Sequence, residues 1–429
     1  MKAMPMSSHD TALPHIPVVI IGGGQAGLSV SWYLARDGID HIVFERHRRF
    51  HSWRVNRWDS FCLVTPNWQC RLPGWPYAGA DPDGFMLRDE IVAYLDGFST
   101  SFDPPLHEGV AVTAVQPLPD GTYRVETTSG IWTTGQVVVA TGGYDQPIVP
   151  PYAAALSPAL TQIHSVNYRR PAQLPEGGAL IVGTGQSGVQ IMEDLHRDGR
   201  AVHLAVGPAP RSPRKYRGRD ATDWLHDMGH YAITIDRHPD PVKAVTQTNH
   251  YMSGRDGGKE IDLRRFACEG VRLYGSMSGA QGTQIEFLPD LEKNLDDADR
   301  SYCGIRDQID SWIAAQGIDA PTEPPFQKVW RPEAEVTAID CAALGITSII
   351  WAIGFRPDYG WLQVDCFDPQ GRPQYRRGVT AVPGIYFIGL GWLNTWGSGR
   401  FLGIDEDARH LAACIADHAG GAVRSQAAE

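Results

Sequence analysis

Two stretches of the chain repeat the same order of strand, glycine-rich turn, helix and strand. In the first, residues 18–21 form a β-branched run that predicts a buried strand, apolar residues between 26 and 34 recur at helical spacing, and residues 42–44 predict a second strand. The second stretch repeats this order between residues 179 and 206. Because strand, helix and parallel strand form the unit of doubly wound folds, the chain is predicted to be an α/β protein.

The remaining apolar pattern indicates that the second unit is inserted in the first. Further predicted elements are helices at 88–98, 305–315 and 405–418, a hairpin of 110–116 and 123–127, and strands ending at 140 or spanning 336–339, 348–351 and 385–388. We therefore expect two Rossmann-like dinucleotide-binding domains. The first comprises residues 15–165 and 341–429, and the second comprises residues 166–340 with a less regular insertion.

The turn of the first unit carries the spacing GxGxxG, at Gly22, Gly24 and Gly27, and its second strand ends at Glu45. Gly22 permits a tight turn, Gly24 lets the backbone approach a pyrophosphate, and Gly27 lets the helix pack close to the strand. The helix N-terminus offers free N–H groups to the phosphates, and Glu45 can accept hydrogen bonds from ribose hydroxyls. The combination predicts a dinucleotide site, and a glycine-rich turn with a surface Glu is the weaker alternative.

The second unit repeats the glycine spacing at Gly183, Gly185 and Gly188 but has Val206 where the first has Glu45. A cationic stretch follows, formed by Arg211, Arg214, Lys215, Arg217 and Arg219. A carboxylate would repel a 2′-phosphate, whereas an arginine can bind it through two hydrogen bonds. The sequence therefore predicts NADPH rather than NADH at this site, with a solvated basic loop as the alternative.

Composition excludes several other classes of protein. Of 429 residues, 49 are acidic and 38 basic, and the net charge of −11 disfavours binding to nucleic acid or to an anionic membrane surface. None of the seven cysteines forms a CxxC pair, so we expect neither a thiol-redox centre nor a metal site. The N-terminal fifteen residues lack the apolar segment of a signal peptide, and no apolar run is long enough to span a membrane, which predicts a cytoplasmic protein.

With these motifs the chain resembles the NADPH-dependent flavoprotein monooxygenases, a family that includes the flavin-containing and the indole-pyruvate monooxygenases. The resemblance covers nearly the whole chain. It also rests on Thr141 and Gly142, on the segment AIGFRPD at 352–358, and on Asp407 with Ala408 at the start of the last helix. The family's linker motif is half present, because His164, Tyr168 and Arg169 fit it, whereas Pro158 and Leu160 replace its Phe and Gly.

The resemblance implies that NADPH reduces FAD, that O₂ then forms a C4a-(hydro)peroxyflavin, and that one oxygen atom passes to a small organic substrate. The residues expected to bind the two cofactors are Gly22, Gly24, Gln25, Ala26, Gly27, Glu45, Arg46, Trp53, Thr141, Gly142, Gly183, Gly185, Gln186, Ser187, Gly188, Arg211, Arg214 and Gly354. Asn67 is the candidate for a catalytic hydrogen bond near the peroxide, and an ordinary turn residue after Pro66 is its equally weighted alternative.

Two other functions stay open on the sequence. An NADPH-dependent flavin reductase or oxidase would pass electrons to a quinone, a metal or O₂, and a flavin-binding module would catalyse nothing. The complete second glycine motif disfavours the module, since a nicotinamide site has no evident use without hydride transfer. The expected partners are a small-molecule substrate and O₂, and a homo-oligomer is possible.

Overall fold

The computed structural model describes residues 13–426, so most of the N-terminal segment on which the signal-peptide prediction depends lies outside the described residues. The strands are β1 (His15–Ile21), β2 (His41–Glu45), β3 (Arg71–Leu72), β4 (Trp75–Pro76), β5 (Leu106–Glu108), β6 (Val112–Pro117), β7 (Tyr123–Thr127), β8 (Gly130–Val139), β9 (Gln146–Pro147), β10 (Thr161–His164), β11 (Gly178–Val182), β12 (Val202–Ala205), β13 (Lys215–Tyr216), β14 (Arg219–Asp220), β15 (Arg272–Tyr274), β16 (Met277–Gln281), β17 (Gln284–Phe287), β18 (Ala338–Asp340), β19 (Ile346–Trp351), β20 (Phe355–Arg356) and β21 (Ile385–Phe387).

The helices are α1 (Gln25–Arg36), α2 (His51–Arg54), α3 (Arg88–Thr100), α4 (Gln186–Arg197), α5 (Ala221–Asp227), α6 (Pro241–Thr246), α7 (Arg255–Gly258), α8 (Leu263–Cys268), α9 (Leu291–Gln316) and α10 (Ile404–Gln426). Among the described residues, no helix is both long and apolar enough to cross a membrane.

The first sheet has the strand order β5-β2-β1-β8-β7-β6, and β21 pairs with the end of β8. Strands β5, β2, β1, β8 and β21 are parallel, whereas β6, β7 and the start of β8 form an antiparallel meander. Alternate residues of the parallel strands pack on α1, α3 and α10 on one face, and on the segment 359–367 on the other. This two-sided burial explains the continuous apolar runs in the sequence.

The second sheet is entirely parallel, with the order β10-β19-β11-β12-β15. Helices α4 and α9 cover one of its faces, and the small antiparallel sheet β16-β17-β18 lies against the other. The insertion therefore supplies part of the core of the second domain. The prediction of two dinucleotide-type α/β domains, one inserted in the other, is confirmed.

The predicted domain boundaries were wrong at both junctions. Strands β10 and β19 lie in the predicted first domain, yet both pair within the second sheet. The chain leaves the first sheet after β8 and returns to it with β21, so the inserted domain includes residues 161–164 and 346–351. An isolated apolar run predicts a strand, but the sheet it joins depends on pairing with distant segments.

Candidate functional site

The first glycine turn connects β1 to α1. Two of its three motif glycines leave no room for a side chain, and the third does. Gly22 has a φ of +116°, and a Cβ atom there would lie 2.5 Å from the carbonyl oxygen of Ala140. A Cβ on Gly27 would lie 2.0 Å from the carbonyl oxygen of Gly22. At Gly24, the residue before α1, a Cβ would meet no atom within 4 Å. The turn therefore needs glycine at its ends, and it leaves room beside Gly24 for a bound group.

The second glycine turn, between β11 and α4, has the same construction. Gly183 has a φ of +102°, and a Cβ there would lie 2.7 Å from the carbonyl oxygen of Ala352. A Cβ on Gly188 would lie 2.0 Å from the carbonyl oxygen of Gly183, whereas one on Gly185 would make only an ordinary contact of 3.6 Å with Thr248. Each turn thus fits a pyrophosphate at a helix N-terminus, as the sequence predicted.

Glu45 lies beside the first turn and holds it in place. One carboxylate oxygen accepts a hydrogen bond from the backbone N–H of Gly23 at 2.7 Å, and the other accepts one from His47 at 2.8 Å. Each oxygen keeps further acceptor capacity for a ribose hydroxyl. Val206 occupies the equivalent position in the second domain, because Ala205 pairs with Val182 as Phe44 pairs with Ile21. The second site therefore lacks the ribose-binding carboxylate.

Other predicted residues of the first site cluster around the start of α1. The Gln25 side chain accepts a hydrogen bond from Trp53 Nε1 at 3.1 Å and donates one to the carbonyl oxygen of Gly399. A Cβ on Gly389 would lie 2.7 Å from the Cβ of Ala26, so the loop after β21 packs tightly on this turn. The Trp53 ring stacks on Phe401 at 5.4 Å. These contacts join three distant segments at one edge of the sheet.

The remaining candidates of the first domain lie at its periphery. Arg46 forms an ion pair with Asp145 and is exposed. Thr141 and Gly142 follow β8, and a Cβ on Gly142 would meet no atom within 4 Å, as at Gly24. Their position at the carboxyl end of a parallel strand is typical of ligand-binding residues in α/β sheets.

In the second site, the side chain of Gln186 hydrogen-bonds to Met252 and so connects the insertion to the glycine turn. Its amide oxygen accepts a hydrogen bond from Met252 N–H at 3.2 Å, and its Nε2 donates one to the Met252 carbonyl at 2.5 Å. Ser187 is the next residue of α4 and is partly exposed. Gly354, at a φ of +97°, offers its carbonyl to His164 Nε2 at 3.2 Å.

His164 is fixed in orientation by this arrangement. Its Nδ1 accepts a hydrogen bond from Val166 N–H at 3.2 Å, so the proton is on Nε2, which donates to Gly354. Burial lowers the pKa of the imidazole below its ordinary value. These contacts give His164 a structural role, because they hold the linker against Gly354.

The cationic stretch 211–219 is neutralised by the chain itself. Arg211 and Arg214 are each only 1% exposed. Arg211 pairs with Asp299 at 3.1 Å and Asp262 at 3.3 Å, and Arg214 pairs with Asp220 at 2.6 Å. The other three cations also have carboxylate partners, namely Lys215 with Asp220, Arg217 with Asp310 and Arg219 with Asp227. The structure does not favour Arg211 and Arg214 as 2′-phosphate ligands, and that role remains a prediction without geometric support.

Asn67 is buried, and both ends of its amide are engaged. Its Nδ2 donates to the carbonyl of Asp81 at 2.9 Å, and its Oδ1 accepts from Met86 N–H at 2.8 Å. The side chain thus fixes the loop between these residues. The alternative of a structural turn residue is favoured over the catalytic hydrogen bond.

Comparisons with known proteins agree with this geometry. A model of the pyridine nucleotide-disulphide oxidoreductase family matches residues 19–228. A CzcO-like oxidoreductase of Geobacillus kaustophilus is 31% identical over 94% of this chain and 99% of its own length. The chain belongs to the family of the CzcO-like oxidoreductases. It is an oxidoreductase, and the family resemblance inferred from its motifs is confirmed.

A second relative and two solved structures give the same fold. A probable indole-3-pyruvate monooxygenase of Arabidopsis thaliana, YUCCA3, is 28% identical over 87% of this chain and 81% of its own. A flavin-containing monooxygenase from Stenotrophomonas maltophilia superposes with a TM-score of 0.65 at 20% identity, covering 95% of this chain and 100% of that one. A bacillithiol disulfide reductase from Bacillus cereus gives 0.59 at 15% identity, covering 94% and 99%. At these identities the two structures establish the fold alone.

Sequence reasoning missed the contacts that connect the two sites of this oxidoreductase. Thr248 lies beside Gly185, and the adjacent Asn249 accepts a hydrogen bond from Arg400 Nη2 at 2.6 Å. Arg400 immediately precedes Phe401, which stacks on Trp53 at the first site. A chain of contacts from segment 248–252 through Arg400, Phe401 and Trp53 therefore connects the two glycine turns. No local signal in the sequence links Asn249 to Arg400, because the two residues are 151 positions apart.

Proposed function

We propose that this oxidoreductase is an FAD-dependent monooxygenase, which uses NADPH and O₂ to insert one oxygen atom into a small organic substrate. The observation that carries the proposal is the pair of matching glycine turns, linked by segment 248–252 and Arg400. When bound, FAD would supply the oxygen chemistry and the nicotinamide would supply hydride. Two such turns in one chain support an enzyme that brings both dinucleotides together.

The residues of the first site fit FAD in defined ways. The open position at Gly24 and the N-terminus of α1 suit its pyrophosphate, and Glu45 suits its adenosine ribose. Trp53 and Phe401 form an aromatic wall beside the start of α1. Such a wall can exclude water from a reacting flavin, which an oxygenase needs more than an oxidase does.

We propose NADPH for the second site because of Val206 alone, without the cationic stretch on which the sequence prediction also depended. Val206 leaves no carboxylate at the end of β12 to repel a 2′-phosphate. The cations of 211–219 do not add to this argument, because carboxylates of the chain already pair with them. Flavin reduction by NADPH and by NADH at matched concentrations tests the preference.

One solved relative is named a disulfide reductase. The cysteines of this chain disfavour that activity here. The structure describes all seven as free thiols. Burial raises the pKa of the Cys62 thiol to about 11 and that of Cys70 to about 12. A thiol held protonated is a poor nucleophile for disulfide exchange.

The experiment that tests the proposed function follows NADPH, O₂ and H₂O₂ together in the FAD-loaded enzyme. We expect a substrate to accelerate NADPH oxidation, to lower the H₂O₂ released per NADPH below one, and to take up one labelled atom from isotopic O₂. One H₂O₂ per NADPH with every compound tested would indicate an oxidase. Equally fast NADPH oxidation by a quinone without O₂ would indicate a reductase.

A further inference from the structure

The loop SGRDGG, at residues 253–258 of the inserted domain, lies directly on the first domain. A Cβ atom on Gly254 would lie 1.9 Å from the carbonyl oxygen of Leu63 and 2.7 Å from Cγ of Phe85. Gly254 has a φ of −93° and a ψ of −5°, which other residues also adopt. Glycine is therefore required here by the contact between the two domains and not by the backbone conformation.

Arg255, the next residue, joins the two domains through hydrogen bonds. Its Nη2 donates to the carbonyl oxygen of Ser60 at 3.1 Å and to Ser60 Oγ at 2.9 Å. The same Nη2 lies 3.2 Å from Oδ1 of Asp194, which also accepts a hydrogen bond from Ser60 Oγ. Ser60 belongs to the first domain, whereas Asp194 lies on α4 of the inserted domain. We call Ser60, Asp194 and Arg255 the interdomain clasp.

The charges around the interdomain clasp explain why it contains an arginine. Glu193 and Asp194 are adjacent on α4 and are only 3% and 7% exposed. Two buried neighbouring carboxylates are unfavourable unless a cation pairs with them. Arg255 Nε lies 3.8 Å from Oε2 of Glu193, and Ser253 Oγ donates to the same oxygen at 3.1 Å. The clasp therefore depends on the charge of Arg255 as well as on its hydrogen bonds.

The first-domain loop held by the clasp, residues 57–64, is embedded in the inserted domain. Trp58 is 2% exposed and packs in the hydrophobic core of that domain, beside Tyr168. The backbone N–H of Asp59 donates to the carbonyl oxygen of Arg169 at 2.9 Å. The loop is therefore fixed to the inserted domain, although the chain places it in the first.

Contacts lead from the clasp to both proposed cofactor sites. On one side, Asp194 lies on α4, whose N-terminus follows Gly185. On the other side, the ring of Phe61 meets that of Trp53 edge-on at 6.1 Å, and Trp53 Nε1 donates to Gln25 at the start of α1. Because the backbone hydrogen bonds of a helix make it stiff, a shift of α4 at the clasp would also move its N-terminus. The clasp therefore sets how the two glycine turns lie relative to each other.

We propose that Arg255 is a positioning residue, which holds the inserted domain where the nicotinamide of NADPH can pass a hydride to FAD. The hydride carries two electrons, so the products are NADP⁺ and reduced FAD. The assignment rests on the proposed function only in that the two glycine turns bind FAD and NADPH, and it does not depend on oxygen insertion. Arg255 contacts the second half of α4, away from the N-terminus proposed for the pyrophosphate, so its loss should change the geometry of transfer more than the binding of either cofactor.

The test measures flavin reduction by NADPH without O₂, in a stopped-flow spectrometer, for wild-type enzyme, Arg255→Gln and Gly254→Ala. The first variant removes the cation, and the second places a methyl group against the Leu63 carbonyl. Because a displacement of about 1 Å can lower a rate roughly 100-fold, we expect the limiting rate in both to fall about tenfold or more, with unchanged flavin content and NADPH dissociation constant. Arg255→Lys keeps the charge and should recover part of the rate. Arg197→Gln, which removes an exposed ion pair with Asp256 on the same helix and loop, is the matched control and should behave as wild type.

Hydrogen exchange of the apoprotein gives a second readout that needs no cofactor. In Arg255→Gln and Gly254→Ala, the backbone amides of residues 57–64 should exchange about tenfold faster or more, because the loop opens more easily, and in Arg197→Gln they should not. Unaltered exchange in the first two variants would show that the clasp does not hold the loop. An unaltered limiting rate, or loss of FAD, would overturn the positioning role. If NADPH fails to reduce the flavin of the wild type, the proposed function is contradicted, and exchange still decides whether Arg255 holds the domains together.

Discussion

Substitution of Gly24 by valine is expected to remove FAD while the protein stays folded. The residue has a φ of −82° and a ψ of −179°, an extended conformation that any L-amino acid adopts. A Cβ there would meet no protein atom within 4 Å, so the side chain fills only the space proposed for the pyrophosphate. Gly185→Val is the matched variant in the second site, at a φ of −62° with one ordinary contact to Thr248.

Gly24→Val is expected to weaken the binding of FAD more than it lowers the stability of the fold. Valine is a poor residue before a helix, so the free energy of unfolding of the apoprotein should fall by only about 1 kcal/mol. Each charge-assisted hydrogen bond from the turn to a phosphate contributes on the order of 1.5–3 kcal/mol. Loss of one such bond raises a dissociation constant roughly tenfold to 150-fold, and blocked approach of the backbone adds to this.

The assay combines the flavin content of the purified protein, FAD titration of the deflavinated protein and thermal unfolding. Gly24→Val should purify colourless and bind FAD at least tenfold more weakly. Gly185→Val should keep its FAD but be reduced by NADPH only at much higher concentrations. If Gly24→Val keeps full flavin content, or if the two variants lose the same cofactor, the assignment of the two turns is refuted.

Four further substitutions test individual contacts. Arg211→Ala should lower the free energy of unfolding by about 3 kcal/mol, because it removes the cation that pairs with Asp262 and leaves Asp299 paired with Arg264 alone. Arg219→Gln should leave the ratio of NADPH to NADH efficiency unchanged, and a changed ratio would restore the 2′-phosphate role of this stretch. Asn67→Ala should lower the free energy of unfolding by about 1–3 kcal/mol, because two hydrogen bonds are lost. If this variant instead releases more H₂O₂ per NADPH and is not destabilised, the catalytic role of Asn67 is supported. Burial raises the pKa of Asp407 from 3.8 to about 6, so ionisation of this carboxyl lowers the free energy of unfolding by about 3 kcal/mol in total as pH rises through that interval. In Asp407→Asn, the free energy of unfolding measured in urea should fall less between these pH values. An unaltered slope would contradict the shift.

Local patterns predicted the strands and the glycine turns because their causes are local. The spacing of Gly22 and Gly27 is required by atoms a few residues away, together with one neighbouring strand. Buried parallel strands likewise need apolar residues on both faces, which makes them readable as short continuous runs.

Local sequence patterns could not predict which charged side chains form ion pairs. Arg211 finds its partners at Asp262 and Asp299, far along the chain, so a cationic stretch that looks available in sequence is neutralised in the fold. Arg57 and Arg400 show the reverse, because neither pairs with a carboxylate of the described residues, although the chain is acidic. Only the tertiary arrangement decides which charges are paired.

The measurement that tests the monooxygenase proposal most directly is a single turnover of the reduced enzyme with O₂. The FAD-loaded protein is reduced with NADPH, mixed with oxygenated buffer in a stopped-flow spectrometer without substrate, and quenched for H₂O₂ at successive delays. We predict a transient absorbance distinct from both reduced and oxidised flavin, with H₂O₂ appearing only as it decays, and a longer lifetime when NADP⁺ is in excess. Direct return of the oxidised spectrum, with one H₂O₂ per flavin and no transient at any NADP⁺ concentration, would contradict the account and indicate an oxidase.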